Sequence, residues 1–87
     1  MKNELKTFRR KIDKIDNKII ILLEKRFEVS RKIRRHKLKN NLSIEDKKRE
    51  KEIFVPKTKN SSFSDNFIKK LFNLIFDESK RIQRDIR

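Results

Sequence analysis

Apolar residues along the first half of the chain recur at alternating spacings of three and four, which places them on one face of an α-helix. This stripe comprises Leu5, Phe8, Ile12, Ile15, Ile19, Leu22, Val29 and Ile33. The pattern predicts a first helix from about Asn3, a favourable N-cap, to about Lys39, with Asn40 and Asn41 as its stop. Such a helix would be roughly 55 Å long. The same spacing puts Arg26 on the stripe, so a cation is expected among apolar side chains.

A second helix is predicted to begin near Ser43, with Asp46 three residues later in a variant of the capping box. Pro56 lacks an amide proton and disfavours helical conformation at Val55, so this helix is predicted to be short. The polar residues 57–64 are predicted to form a loop.

A third helix is predicted from Ser64 or Asp65 onward, where the alternation of four and three returns. Its stripe comprises Ile68, Phe72, Ile75, Ser79, Ile82 and Ile86. Ser79 therefore occupies a stripe position, and Gln83 lies one turn beyond it on nearly the same face. Two neutral polar side chains are thus expected to point inward.

The chain has no Gly and a single Pro, which leaves few sharp turns and favours helices over strands. We predict an all-α fold in one domain, residues 1–87, with a long first helix, a short second helix and a third. The first helix exceeds the diameter of a domain of this size, so its stripe has no intrachain partner of equal length. Because a stripe of this size marks an interaction surface, an intertwined homodimer with antiparallel long helices is the simplest arrangement.

The composition excludes several kinds of chemistry. There is no Cys, so disulfides, thiolate metal sites and Cys nucleophiles are excluded, and the single His disfavours a metal site. The longest wholly apolar run, residues 19–23, is far shorter than a membrane span, and the N-terminus has no apolar signal core. We therefore expect a soluble cytoplasmic protein.

The chain has 27 Lys and Arg residues and 13 Asp and Glu residues. The resulting formal net charge of +14 should attract anionic ligands. Solvated helix faces of a lysine-rich protein would produce the same excess. A basic helical nucleic-acid-binding protein would concentrate this charge on one face, whereas here it is spread and interrupted by acids. A dimerisation module would explain the stripe but not its polar members. Both classes stay as alternatives, and neither specific nucleic-acid binding nor membrane binding is expected.

The first helix carries two cations that one small anion could bridge. Arg26 and Lys37 are 11 residues apart, so they share one face at about 16 Å along the axis. Arg9 and Arg26 are 17 residues apart, which separates them by about 25 Å along the axis and about 100° around it. One helix cannot bring both arginines to one ligand, but a second, antiparallel copy could. The site would then be shared between two chains.

Taken one at a time, the polar positions have simpler interpretations. Arg26 would extend to the surface or pair with a neighbouring carboxylate, and Lys37 would be an ordinary surface lysine. Ser79 and Gln83 would be hydrogen-bonded within a dimer. The charges around the start of the second helix would serve only as helix-start residues.

Several short motifs follow one another in a fixed order. They are Arg9 before IDKID, then LLEKR, a lysine 11 residues on, EDKKRE at the second helix and SKRIQ in the third. In this order and spacing the chain resembles the all-helical chorismate mutases (type II) over nearly all of its length. No single motif is specific, and the resemblance depends on their joint occurrence.

The resemblance implies an intertwined homodimer of three-helix chains that rearranges chorismate to prephenate in phenylalanine and tyrosine biosynthesis. This intramolecular Claisen rearrangement needs no nucleophile, metal or cofactor. The enzyme holds the dianionic substrate in its reactive conformer and stabilises negative charge on the breaking ether oxygen. An inactive relative of the mutases is an alternative that the sequence leaves open.

By the same resemblance, Arg26 and the Arg9 of a second chain would bind the two substrate carboxylates through bidentate contacts. Lys37 and Gln83 would donate hydrogen bonds to the ether oxygen. The predicted catalytic residues are therefore these two donors together with Arg9 and Arg26. The other predicted substrate-binding residues are Asp46 and Glu50 at the ring hydroxyl, Arg49 in support of that end, and Ser79 at a carboxylate.

Overall fold

The computed structural model describes residues 2–85, and this part of the chain contains three α-helices and no β-strand. Helix α1 spans Lys2–Lys39, α2 spans Lys47–Asn60 and α3 spans Asp65–Asp85. The predicted all-α fold of three helices is therefore confirmed. Ile86, the last member of the predicted third stripe, lies outside the described residues.

Helix α1 ends where the sequence predicts. Asn41 adopts a positive φ of 56°, a left-handed conformation that Asn tolerates better than most residues. The Leu42 amide donates a hydrogen bond to the Lys37 carbonyl at 2.8 Å, which closes the last turn. At the other end Asn3 lies inside the helix rather than capping it, because Lys2, a good helix former, already belongs to the helix.

Helix α2 begins later than predicted. Its N-cap is Asp46, whose Oδ1 accepts a hydrogen bond from the Arg49 amide at 3.0 Å, so the predicted cap at Ser43 is wrong. Lys37 Nζ donates to the Ile44 carbonyl at 2.9 Å. Since this bond holds the connecting segment against the end of α1, the chain turns into its second helix only at Asp46.

Helix α2 also continues through Pro56 to Asn60, so the prediction that it stops before the proline, with a loop from residue 57, is wrong. The helix nonetheless is the shortest of the three. The Thr58 hydroxyl donates to the Val55 carbonyl at 2.8 Å, which adds a side-chain donor next to the proline. Packing of α2 along α3 therefore outweighs the local preference of the sequence.

Replacing Pro56 with Ala is expected to raise the free energy of unfolding by about 1–3 kcal/mol, because Ala restores an amide donor and removes the ring clash inside a helix. Thermal unfolding followed by circular dichroism would record a midpoint higher by about several degrees. Lys51→Ala, at an exposed position of the same helix, is the matched control and is expected to change the free energy by less than about 0.5 kcal/mol. A midpoint for the Pro56 variant at or below that of the parent would contradict the expectation.

Helix α3 lies at the centre of the packing and contacts both α1 and α2. The buried apolar residues of the described chain are all on this helix: Ile68, Phe76 and Ile82. Ser79 and Gln83 are buried on the same helix, which confirms their predicted inward orientation. The core of the single chain is therefore small and centred on α3.

The N-terminal half of α1 has no packing partner in the described chain. We call its exposed apolar residues the α1 stripe: Leu5, Phe8, Ile12, Ile15, Ile19 and Leu22. Each keeps 49–62% of its surface exposed, and the helix gives the chain a longest dimension of 59 Å. No described helix is both long and apolar enough to cross a membrane.

Candidate active site

The three helices meet around a cavity of about 440 Å³. Its apolar lining comes from Val29, Ile33, Ile44, Ile53 and Phe76. Seven of the eight residues predicted for the site line it: Arg26, Lys37, Asp46, Arg49, Glu50, Ser79 and Gln83. The eighth, Arg9, is exposed on α1 and does not line the cavity. A single chain thus brings together every predicted site residue except one arginine.

The place of Arg26 on the stripe suggested a buried side chain, but in the structure Arg26 is only half-buried. Its guanidinium carbon lies 5.8 Å from the centroid of the Phe76 ring, an arrangement in which the aromatic face attracts and orients the cation. Partial burial, and secondly the nearby Arg49, lower the pKa of Arg26 from its ordinary value. Arginine keeps its charge at physiological pH even so, because its ordinary pKa is far above neutrality. An anion at this position would relieve the cost of holding the charge there.

A chain of buried hydroxyl and amide groups joins α1 to α3. The Ser30 hydroxyl donates to the Arg26 carbonyl at 3.2 Å and lies 2.8 Å from the Ser79 hydroxyl. Gln83 Nε2 donates to Ser79 Oγ at 3.2 Å. All three side chains are less than 8% exposed, so these bonds are shielded from water and fix the amide of Gln83 at the cavity wall.

The amide oxygen of Gln83 is buried without a hydrogen-bond partner in the described chain. Rotating the amide by half a turn would let this oxygen accept from the Ser79 hydroxyl, and the Ser30 hydroxyl would then donate to Ser79 instead of to the Arg26 carbonyl. The two orientations of an amide are distinguished only by the hydrogen bonds they make. In the orientation that donates to Ser79, the NH₂ group keeps a second proton, from which a ligand oxygen can accept a hydrogen bond.

Lys37 is half-buried at the end of the cavity near the connection between α1 and α2. Its ammonium group uses one proton on the Ile44 carbonyl at 2.9 Å. An ammonium group has three donors, so two stay available for other acceptors. The bond to the backbone gives this flexible side chain a defined position beside the cavity.

Carboxylates and cations lie close together at the start of α2. Asp46 and Arg49 are exposed, with Asp46 engaged as the helix cap and Arg49 within 3.5 Å of Glu52. Glu50 is half-buried and lies 3.0 Å from Lys80 of α3. The hydrogen bond with Glu50 is the largest of the effects that raise the pKa of Lys80, so this ammonium group stays charged.

Two polar residues of the cavity were not predicted from the sequence, Ser30 and Lys80. Ser30 lies four residues after Arg26 and hence on the same helix face, so its position could have been found from helical spacing. Lys80 follows Ser79 directly and faces Glu50 thirty positions earlier in the chain. No local pattern indicates that contact.

The arrangement suits a small anion better than a metal ion. Three cationic side chains from α1 and α3 surround an apolar lining: Arg26, Lys37 and Lys80. The buried amide of Gln83 lies among them, and the acidic groups, Asp46 and Glu50, are confined to one end. Within residues 2–85, no group of three or more His, Asp or Glu residues is placed to hold a metal ion. Electrostatic binding and orientation of a polar organic anion is what these groups can perform.

The sequence matches the family described as chorismate mutase type II over residues 8–84. A curated relative from Buchnera aphidicola subsp. Schizaphis graminum, named bifunctional chorismate mutase/prephenate dehydratase, is 39% identical over 88 residues. A second relative of that name, from Buchnera aphidicola subsp. Acyrthosiphon pisum, is 38% identical over 89 residues. The alignments cover 98% and 97% of this chain, which spans 23% of the length of each relative. No solved structure matches the chain significantly.

Proposed function

Because the chain belongs to the chorismate mutase type II family, we propose that it catalyses the rearrangement of chorismate to prephenate in phenylalanine and tyrosine biosynthesis. The observation that carries this proposal is the meeting of Arg26, Lys37 and Gln83 around one cavity. At about 440 Å³ the cavity has the size of a small-molecule site. The partner of the protein would be a small dianion, and no cofactor enters the proposed reaction.

The reaction breaks an ether C–O bond and forms a C–C bond within one molecule, so no group of the protein has to attack the substrate. Two contributions remain for the enzyme. It selects the compact conformer in which the reacting carbons approach each other, and it stabilises charge on the ether oxygen as the bond breaks. Fixed cations and neutral donors in a partly dry cavity supply both.

Arg26 would bind one substrate carboxylate. Its guanidinium is held over the Phe76 ring and therefore presents its planar edge in a restricted direction. A carboxylate can accept two parallel hydrogen bonds from that edge, which fixes both its position and its orientation. Ser79, buried next to this region, would add a hydroxyl contact to a carboxylate.

Lys37 and Gln83 would donate to the ether oxygen. Lys37 has two free donors after its bond to the Ile44 carbonyl. Gln83 would supply the second proton of its NH₂ group, whose first proton is donated to Ser79 Oγ at 3.2 Å. Because both donors are held by protein groups before the substrate arrives, little reorganisation is needed when charge develops on the oxygen.

Asp46 and Glu50 would accept hydrogen bonds from the ring hydroxyl, and Arg49 would support that end of the site. The three side chains lie at the first turn of α2, where Asp46 also caps the helix. Their contacts would be formed equally in the bound substrate and in the transition state. We therefore assign them to binding and orientation and not to rate acceleration.

The second arginine would come from another copy of the chain. The α1 stripe is uncovered, and apolar surfaces of this size mark contact sites. If two α1 helices pair in antiparallel fashion around residues 17 and 18, Arg9 of one chain lies opposite Arg26 of the other, since the two positions are equally far from that midpoint. The same pairing brings Ile15 and Ile19 of both chains to the centre of the contact. We thus propose an intertwined homodimer with two shared sites, and a cytoplasmic location that fits a chain without Cys.

The proposal is tested by incubating purified protein with chorismate. The expected result is loss of the substrate's ultraviolet absorbance and formation of a product of the same mass, identified as prephenate by NMR. The uncatalysed reaction in protein-free buffer and the same protein after thermal unfolding are the controls. If the folded protein gives no turnover above the uncatalysed rate, the proposed activity is wrong, and the chain would be an inactive member of its family.

A further inference from the structure

Within the described chain, Lys80 makes the ion pairs that connect α3 to α2 and to the segment before it. Its ammonium nitrogen lies 3.0 Å from Glu50 on α2 and 3.4 Å from Glu45 in the segment before that helix. The other ion pairs of the described residues join positions three or four apart on a single helix. The charge of Lys80 therefore connects α3 to the start of α2.

This pair is less exposed than an ordinary surface ion pair. The Lys80 side chain is 18% exposed and that of Glu50 is 24% exposed, whereas Glu45 is half exposed. Exposed pairs contribute little because water and salt screen them. A pair with limited access to water is screened less, so the contact with Glu50 is the stronger of the two that Lys80 makes.

The pair also lies between two cavities. A second cavity of about 370 Å³ runs between α2 and α3, and Lys80, Glu50 and Phe76 line both this space and the candidate active site. These three side chains consequently form part of the wall that separates the two spaces. Loss of the ion pair would weaken that wall next to the proposed hydroxyl-binding end.

The apolar side chains of α2 lie after its first turn. Ile53 and Phe54 are only half-buried, Val55 is exposed, and Pro56 interrupts the backbone hydrogen bonds. The first turn of the helix, which carries Glu50, precedes these apolar residues. Its position therefore depends on polar contacts more than a typical packed helix does.

We propose that Lys80 is a positioning residue that holds Glu50 and the first turn of α2 at the edge of the candidate active site. The inference rests on the proposed function, because it assigns Lys80 to the end of the site that would bind the ring hydroxyl. Lys80 acts through Glu50 and does not touch the reacting atoms. Glu45 supports the same contact from the outer side.

The kinetic test uses Lys80→Met, which keeps the length of the side chain and removes its charge. We expect KM for chorismate to rise about tenfold while kcat changes by less than about threefold, because the ring hydroxyl is bound equally in the ground and transition states. A KM within about twofold of the parent would overturn the proposal. So would a fall in kcat at constant KM, since Lys80 would then act on the reacting atoms.

Two further variants separate charge from general stability. Lys80→Arg keeps the charge and is expected to keep KM within about threefold of the parent. Lys70→Met removes an exposed lysine of the same helix and is expected to leave both constants unchanged. A KM for Lys80→Arg as high as that for Lys80→Met, or an equal rise in Lys70→Met, would contradict the role of the Lys80 charge.

Amide hydrogen exchange tests the proposal without substrate. Lys80→Met is expected to speed exchange of residues 50–54 by about tenfold, while exchange of residues 23–33 in α1 stays unchanged. Unchanged exchange in residues 50–54 would overturn the role of Lys80, whatever the activity of the protein. A parent protein without mutase activity would instead overturn the proposed function, so the two failures are distinguishable.

Discussion

Arg26→Lys is expected to lower kcat/KM for chorismate by about a hundredfold or more, which corresponds to about 2.7 kcal/mol of transition-state stabilisation. Lysine keeps the charge but loses the planar pair of donors that can bind a carboxylate through two parallel hydrogen bonds. It would also hold its ammonium group less firmly over Phe76, because a compact ammonium ion is more strongly hydrated than a guanidinium. Steady-state kinetics on the purified variant would measure the effect.

Arg31→Lys is the matched control for this substitution. Arg31 is exposed on the same helix and does not line the candidate active site, so kcat/KM is expected to stay within about twofold of the parent. Circular dichroism of both variants would verify equal helix content. Activity of Arg26→Lys within about threefold of the parent, in a folded protein, would mean that no bidentate contact at Arg26 contributes to the reaction.

Arg9→Ala and Arg26→Ala are each expected to be nearly inactive, and mixing them is expected to restore about one quarter of the parental activity. Random exchange makes half of the dimers mixed, and each mixed dimer holds one site with both arginines and one with neither. Unfolding and refolding an equimolar mixture, followed by the chorismate assay, would measure the recovery. Native mass spectrometry of chains with different tags would quantify the mixed dimers.

The control mixture combines Arg9→Ala with the double variant Arg9→Ala/Arg26→Ala. Exchange produces mixed dimers here too, but no pairing creates a site with both arginines, so no recovery is expected. Recovery in this mixture, or its absence in the first mixture despite mixed dimers, would contradict a contribution of Arg9 in trans. A parent protein that runs as a monomer at assay concentration would contradict the dimer itself.

Helical periodicity predicts the long elements of this fold well, and local terminators predict their ends less well. Helices α1 and α3 follow from their apolar spacing, and Asn41 ends α1 as expected because its backbone can adopt a positive φ. The start of α2 was placed too early, since a bond from Lys37 to the connecting backbone keeps that segment outside the helix. Its end was placed too early at Pro56, because contact with α3 outweighs the cost of the proline. Both errors come from tertiary contacts that the local sequence does not encode.

The candidate site was predictable to the extent that its residues share helix faces. Helical spacing on α1 and α3 predicts four residues that all line the cavity: Arg26, Lys37, Ser79 and Gln83. Lys80 was missed because its partners lie on α2 and in the segment before it, and its own position falls beside the predicted stripe. Arg9 belongs to the site only through an arrangement of two chains, which spacing within one helix can suggest but not establish.

The uncovered α1 stripe has a consequence for how this protein would respond to its own concentration. If six exposed apolar positions are covered only by a second chain, folding of the N-terminal half of α1 and association become one bimolecular step. Dilution would then remove the shared sites along with the dimer, so the amount of active enzyme would fall faster than the amount of chain. The abundance of the chain itself would thereby act on flux through the reaction, with no regulatory ligand required.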